Sequence, residues 1–315
     1  MSGVILVTGA AGFIGRHLLT ALEGAGPLVG WYQPGTTHPE SPGVSWRAVE
    51  LLDRDAVADA IREYAPAAVY HLAGFAHVGD SWALAEATMA ANVVGTQHLF
   101  SAVGAAALSP RVLVTGSATI YRPSPKSQTE EAPIAPNTPY GTSKLAQEMV
   151  ALAAGAAQGL DVIVTRSFNQ IGPGQSPAFA AASFARQLAR IDAGLEAPVL
   201  KVGNLEAERD LSDVRDTVRA YTALMARGRG GQAYNVCAGR ACSMQQVLDG
   251  LRRRVGREVD VVQDPARMRP SDTPRVVGSH EKLTADTGWR PGIALDQTLD
   301  DLLEYWRQEV RSGRA

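Results

Sequence analysis

Val4-Ile-Leu-Val-Thr8-Gly9-Ala-Ala-Gly12-Phe13-Ile14-Gly15 is the stretch that decides the fold. Its first residues form a short apolar run of β character, and three glycines follow at intervals of three. An amphipathic segment, Arg16–Gly24, comes next. Glycine at these positions permits a tight turn, close approach of backbone to a pyrophosphate, and close packing of helix on sheet. The start of the helix adds free N–H groups and a partial positive charge. In a chain with 31 glycines the spacing alone is weak evidence. Its place between a strand and a helix is what phosphate binding requires. The stretch is read as a dinucleotide site, with Gly9, Gly12, Phe13, Ile14 and Gly15 as its wall.

Outward from the loop, short apolar runs alternate with amphipathic segments, the pattern of a parallel sheet covered by helices. Strands are expected at Val4–Thr8, Leu28–Trp31, Ala68–Leu72, Arg111–Thr115 and Asp161–Arg166. Helices are expected at Arg16–Gly24, Ala56–Tyr64, Leu84–Ala106 and Tyr140–Ala154. The fold class is therefore α/β, a Rossmann-type doubly wound parallel sheet. After Phe168 proline and glycine become more frequent and loops longer. Residues 1–167 are expected to form the NAD(P)-binding domain, with the chain returning to it near 207–236. Residues 168–315 are expected to form a smaller, mainly substrate-binding α/β domain.

A chain of 315 residues, 45% hydrophobic and 20% charged, can bury a sizeable core. A formal net charge of -2 points away from nucleic acid and membrane surfaces as partners. No run approaches the ~20 apolar residues of a membrane span, and the apolar start lacks a preceding basic residue, so no signal peptide is expected. Cys237 and Cys242 are too few for a disulfide framework and lack partners for a metal. Both are expected to be reduced structural residues of a cytoplasmic protein without a metal site. The run Arg252-Arg253-Arg254 reads as the exposed face and end of a helix.

Tyr140-Gly-Thr-Ser-Lys144 sets a phenol and an ammonium four residues apart, on one helix face. A phenol has a pKa of about 10. A nearby ammonium favours the phenolate, which makes the tyrosine usable as an acid or base near neutrality. With 8 tyrosines and 4 lysines in the chain, composition alone yields the spacing about 0.1 times. The strand Arg111–Thr115 runs into Gly116-Ser117-Ala-Thr119, placing Ser117 at the carboxyl end of the sheet, where open α/β sheets bind ligands. Ser117 can there hydrogen-bond a substrate oxygen and orient it toward Tyr140. The end of the second strand reads Trp31-Tyr32-Gln33-Pro34, with no acid for a ribose 2′-hydroxyl and no base for a 2′-phosphate, so NADP(H) is only slightly favoured over NAD(H).

These segments, with His71-Leu72-Ala73-Gly74, Asn92-Val-Val-Gly-Thr96, Ser117-Ala-Thr-Ile-Tyr121 and Phe168-Asn-Gln-Ile-Gly-Pro-Gly174, resemble the extended short-chain dehydrogenases/reductases over essentially the whole chain. The resemblance implies that Ser117, Tyr140 and Lys144 are catalytic. It also implies that Glu50, Leu51, Leu72, Ala73, Gly74 and Asn92 join Tyr140 and Lys144 in holding the cofactor. Asn92 either ties Lys144 through water or packs a helix. Asp53 either meets the adenine or begins a helix.

Phe184-Ala-Arg186-Gln187, Lys201-Val-Gly-Asn204, Glu208-Arg209-Asp210, Arg267-Met-Arg269-Pro-Ser-Asp272 and Gly288-Trp289 further resemble the GDP-6-deoxy-4-keto-D-mannose reductases. By that resemblance, Asn169, Arg209 and Arg269 hold a diphosphate, Lys201 meets the base, and Asp272 the ribose or base, while Ser117 and Thr119 face the sugar. The implied reaction is reduction of GDP-4-keto-6-deoxy-D-mannose to GDP-D-rhamnose by a homodimer. A nucleotide-sugar 4-epimerase is the alternative. A 4,6-dehydratase is disfavoured, because Thr119 stands where those enzymes carry glutamate. A non-catalytic NADP-binding protein is disfavoured because both Tyr140 and Lys144 are retained.

Overall fold

The computed structural model describes residues 3–268 and 273–314. Thirteen strands are formed among the described residues. They are β1 (Ile5–Thr8), β2 (Leu28–Tyr32), β3 (Val44–Ala48), β4 (Ala68–His71), β5 (Arg111–Ser117), β6 (Val162–Ser167) and β7 (Asn169–Ile171), then β8 (Val199–Val202), β9 (Glu208–Asp213), β10 (Gln232–Val236), β11 (Ala241–Ser243), β12 (Asp260–Gln263) and β13 (Arg275–Val276). The helices are α1 (Phe13–Ala21), α2 (Arg54–Tyr64), α3 (Ala85–Met89), α4 (Gly95–Ala105), α5 (Pro139–Gln158), α6 (Ala180–Asp192), α7 (Val214–Arg227), α8 (Met244–Arg252), α9 (Glu281–Thr287) and α10 (Leu295–Arg311).

Seven strands make one parallel sheet in the order β10-β6-β5-β4-β1-β2-β3. Central strands β1 and β4 are buried along their whole length, as a sheet covered on both faces demands. One face packs against the buried side chains of α1 and α7, including Leu18, Tyr221 and Leu224. The other packs against α2, α4 and α5 through Ile61, Phe100 and Ala151. Strand order reverses between β1 and β4, so the crevice at their carboxyl ends is where such a sheet takes a ligand. Strand β10 extends the sheet from far along the chain, pairing in parallel with β6.

The remaining strands stand apart: β9 is flanked by β11 and β13 and also pairs with β7, while β8 pairs with β12. Beneath them α6, α8 and α10 share a separate apolar core that includes Phe184, Leu248, Leu302 and Trp306. Cys237 and Cys242 are buried, free thiols. No helix among the described residues is long and apolar enough to cross a membrane.

Three features depart from the sequence reading. The edge strand β3, Val44-Ser-Trp-Arg-Ala48, alternates apolar with polar residues and lacks the continuous apolar run of the buried central strands. The long helix expected over 84–106 is divided by a π-helical turn, Ala90–Val94, between α3 and α4. Such turns recur at functional sites, and this one carries the buried Asn92. Arg254 is not a free surface cation: it bonds Asp296, Asp300 and the Gly250 carbonyl.

Candidate active site

A cleft of about 840 Å³ opens at the carboxyl ends of β1, β4, β5 and β6. Gly9, Gly12, Phe13, Ile14 and Gly15 line one end, joined by Glu50 and Leu51 and by Leu72, Ala73 and Gly74. The loop is shaped for close approach. Gly9 has φ +66°, and a Cβ there would stand 2.8 Å from the Ala73 nitrogen. One at Gly15 would stand 2.4 Å from the Gly9 carbonyl oxygen. Gly12 caps α1 without a side-chain hydrogen bond, and the first turn contains no acid. Its amides and positive dipole end are thus suited to a diphosphate, and the donor set fits a dinucleotide.

Helix α5 delivers the reactive side chains. Thr138 caps it by accepting from the Gly141 amide at 3.0 Å, and Pro139 occupies its first turn. Tyr140, Gly141, Ser143, Lys144, Gln147 and Glu148 are buried on its inner face. A Cβ at Gly141 would come within 2.6 Å of the Thr119 carbonyl oxygen, so glycine lets the helix meet the end of β5.

Ser117, Tyr140 and Lys144 meet on the cleft wall. Ser117 lies beside the Tyr140 phenol and works to lower its pKa, against the larger effect of burial. Ser117 Oγ accepts from Thr119 N at 3.2 Å and Thr119 Oγ1 at 2.9 Å. With both lone pairs engaged, its own proton is free to point toward the phenol or a substrate oxygen. The lysine is held apart from the phenol ring. Burial pushes Tyr140 up to about 12 and brings Lys144 down to about 8. Lys144 Nζ lies 6.0 Å from the Tyr140 ring centroid and donates to the Thr115 carbonyl at 2.9 Å and Gln147 Oε1 at 2.8 Å. Tyr140 is consequently a protonated phenol at neutral pH, an acid able to donate.

Other expected residues divide into three groups. Thr119, Asn169 and Arg209 line the cleft, and Arg209 Nη1 donates to the carbonyls of Glu208 and Thr273, both at 2.8 Å. Lys201 does not reach it: this residue lies exposed on β8, its backbone clasped by the Gln187 side chain. Asn92 accepts from Phe75 N at 2.8 Å and donates to Ser143 Oγ at 2.9 Å, clamping the Gly74–Phe75 loop from behind. Asp53 accepts from the amides of Asp55 and Ala56, a helix cap for α2. Arg269 and Asp272 lie outside the described residues.

Sequence reasoning missed the side chains behind the lysine. Thr8, His71, Thr96 and Gln147 are fully buried and hydrogen-bonded to one another or to Lys144. Only Gln147, one helical turn beyond Lys144, left a readable local signal.

A dinucleotide cradle facing a tyrosine acid and its lysine defines a short-chain dehydrogenase/reductase, a nicotinamide-dependent oxidoreductase of the extended type. The GDP-mannose 4,6-dehydratase family matches residues 6–302, and the chain belongs to that family. GDP-6-deoxy-D-mannose reductase from Pseudomonas aeruginosa is 37% identical over 319 residues, covering 99% of each chain. The structure of RMD from Pseudomonas aeruginosa complexed with NADPH is 35% identical, with a TM-score of 0.86 over 98% of this chain and 99% of that one. UDP-glucose 4-epimerase from Thermotoga maritima, solved with UDP-glucose, is 25% identical, with a TM-score of 0.89 over 98% and 99%.

Proposed function

We propose that this protein reduces the 4-keto group of a nucleotide-linked 6-deoxy sugar, converting GDP-4-keto-6-deoxy-D-mannose to GDP-D-rhamnose. The full-length likeness to a GDP-6-deoxy-D-mannose reductase carries this reading, and a protonated Tyr140 suits the reductive direction. NADPH, the cofactor of the similar RMD structure, is the preferred reductant. Bound in the cleft, the reduced nicotinamide supplies the hydride. Gly9, Gly12, Phe13, Ile14 and Gly15 hold its diphosphate, and Glu50, Leu51, Leu72, Ala73 and Gly74 its flanking groups.

Tyr140 then gives its proton to the oxygen developing at C4 while Ser117 donates a hydrogen bond to the same atom. Lys144 presents its remaining N–H to the ribose. Thr119 keeps Ser117 pointing outward, and Asn169 and Arg209 meet the sugar-nucleotide diphosphate, a role suited to guanidinium. Residues 1–167 act as the cofactor domain and 168–315 mainly as the substrate domain. Trp82, Leu84, Met89, Val94 and Met149 are exposed apolar residues on or beside the segment Ala85–Ala105 and α5, and support pairing of two chains there. We place the protein in the cytoplasm.

The test follows absorbance of the reduced nicotinamide with GDP-4-keto-6-deoxymannose, using NADPH and NADH separately. Stoichiometric oxidation is expected, faster with NADPH, and reduced at least about 10²-fold in Tyr140→Phe. Turnover with no net oxidation overturns the reductase in favour of a 4-epimerase, a reading favoured by the likeness to UDP-glucose 4-epimerase.

A further inference from the structure

We propose that Gln147 is a positioning residue for Lys144, part of an uncharged, buried hydrogen-bond network in which one arm from the glycine loop and one from Lys144 converge on Thr96, with every donor fixed. The inference rests on the reading of Lys144 given above.

The direction of each bond follows from counting protons. Thr96 Oγ1 donates its single proton to the Asn92 carbonyl at 2.7 Å, so it can only accept from its other neighbours. Those are Gln147 Nε2 and His71 Nε2, each at 2.9 Å. The Gln147 carboxamide is thereby fixed with Oε1 toward Lys144 Nζ, 2.8 Å away. The opposite orientation would set an NH₂ group against the ammonium. His71 must carry its proton on Nε2, leaving Nδ1 to accept from Thr8 Oγ1 at 2.8 Å. Thr8 Oγ1 in turn accepts from the Ala73 amide at 3.1 Å, in the wall of the dinucleotide cradle. A protonated His71 would have two donors and break the sequence. Burial, helped by the Lys144 charge, holds its pKa down to about 3.

The ammonium thus rests on two neutral acceptors, Thr115 O and Gln147 Oε1, with a third N–H left toward the cleft. The titratable groups around it are neutral near pH 7: Tyr140 on its own helix, His71 on β4, and Tyr221 on α7 beside Tyr140. From β5 and from the segment carrying Asn92 and Thr96 it meets only uncharged groups. Gln147 fixes where the ammonium sits while adding no counter-charge that would lock its proton in place.

The chain has four lysines, so enzyme carrying ¹³Cε-lysine gives a resolvable titration, with Lys144 assigned by its loss in Lys144→Arg. In Gln147→Glu a carboxylate replaces the amide oxygen, and the Lys144 midpoint is expected to rise by about 1 pH unit or more. In Gln147→Met one acceptor is lost and the midpoint is expected to fall. A midpoint unmoved in the folded variants overturns the proposal. A wild-type ¹⁵N-histidine spectrum, which needs no variant, must show His71 protonated at Nε2 and bare at Nδ1; the reverse tautomer also overturns it. The alkaline limb of kcat, recorded on the same variants, judges the other reading. If the midpoint moves and the limb stays, positioning stands and the catalytic role of Lys144 fails.

Discussion

Two buried cations, Lys144 and Arg166, are served by successive residues of α5, and they are treated in opposite ways. Gln147 offers Lys144 a neutral oxygen. Glu148 offers Arg166 a two-point carboxylate, at 3.1 Å from Nε and 2.6 Å from Nη2. Arg166 also donates to the Tyr121 hydroxyl at 3.1 Å and the Glu130 carbonyl at 2.8 Å, while Tyr121 donates to Asn235 on β10 at 2.7 Å. That cluster ties α5, β6 and β10 together around a proton that never leaves, since the Glu148 and Tyr121 contacts drive Arg166 further upward. The lysine, denied a carboxylate, keeps a pKa of about 8 and can exchange. The fold places a counter-ion where it needs architecture and withholds one where it needs chemistry.

The sharpest way to break this contrast is to remove each cation's function in turn. Lys144→Met is expected to cut kcat about 10³-fold, yet to leave the melting temperature equal or higher, because an unpaired buried ammonium is costly. A fall in stability would show that the lysine is architectural after all. Glu148→Gln should do the reverse. Stranding the guanidinium costs about 3 kcal/mol, visible as a lower urea midpoint, with kcat at 25 °C held within a few-fold.

The smallest expected effect sharpens the neutral side. Folded His71 titrates near 3 rather than 6.5, so on acidification the unfolded chain takes up this proton first. Stability from His71 is complete above neutrality and falls by about 2 kcal/mol on reaching pH 5. Asp210 acts in the opposite sense, because burial raises its carboxyl to about 6 in the folded chain. The His71 share is therefore read as the part of the urea-midpoint change between pH 7 and pH 5 that disappears in His71→Gln. Equal changes in both proteins would mean that His71 is already charged when folded.

What was legible in the sequence is what chemistry writes locally. The glycine loop, the Tyr140–Lys144 spacing and the serine at the end of β5 each depend on neighbours a few residues away, and all three line one cleft. The state of the phenol was not legible, because it depends on where the lysine turns. Thr115 and Gln147 hold the ammonium by its other side, and burial is the largest influence on Tyr140. Nor could Thr8, His71 and Thr96 be foreseen, since His71 meets Thr96 from 25 residues away and Gln147 meets it from 51. Lys201 was assigned by resemblance alone, and the β8–β12 pair holds it outside the cleft.

The place of β10 at the rim of the main sheet has a consequence for synthesis. As the chain leaves the ribosome, β6 emerges with its hydrogen-bonding edge open, and its partner Gln232–Val236 is still to be translated. At about 5–20 residues per second the nascent protein exposes that edge for on the order of ten seconds. The sheet that holds the glycine loop is completed only by residues that come after β7 and β9 have begun the neighbouring one.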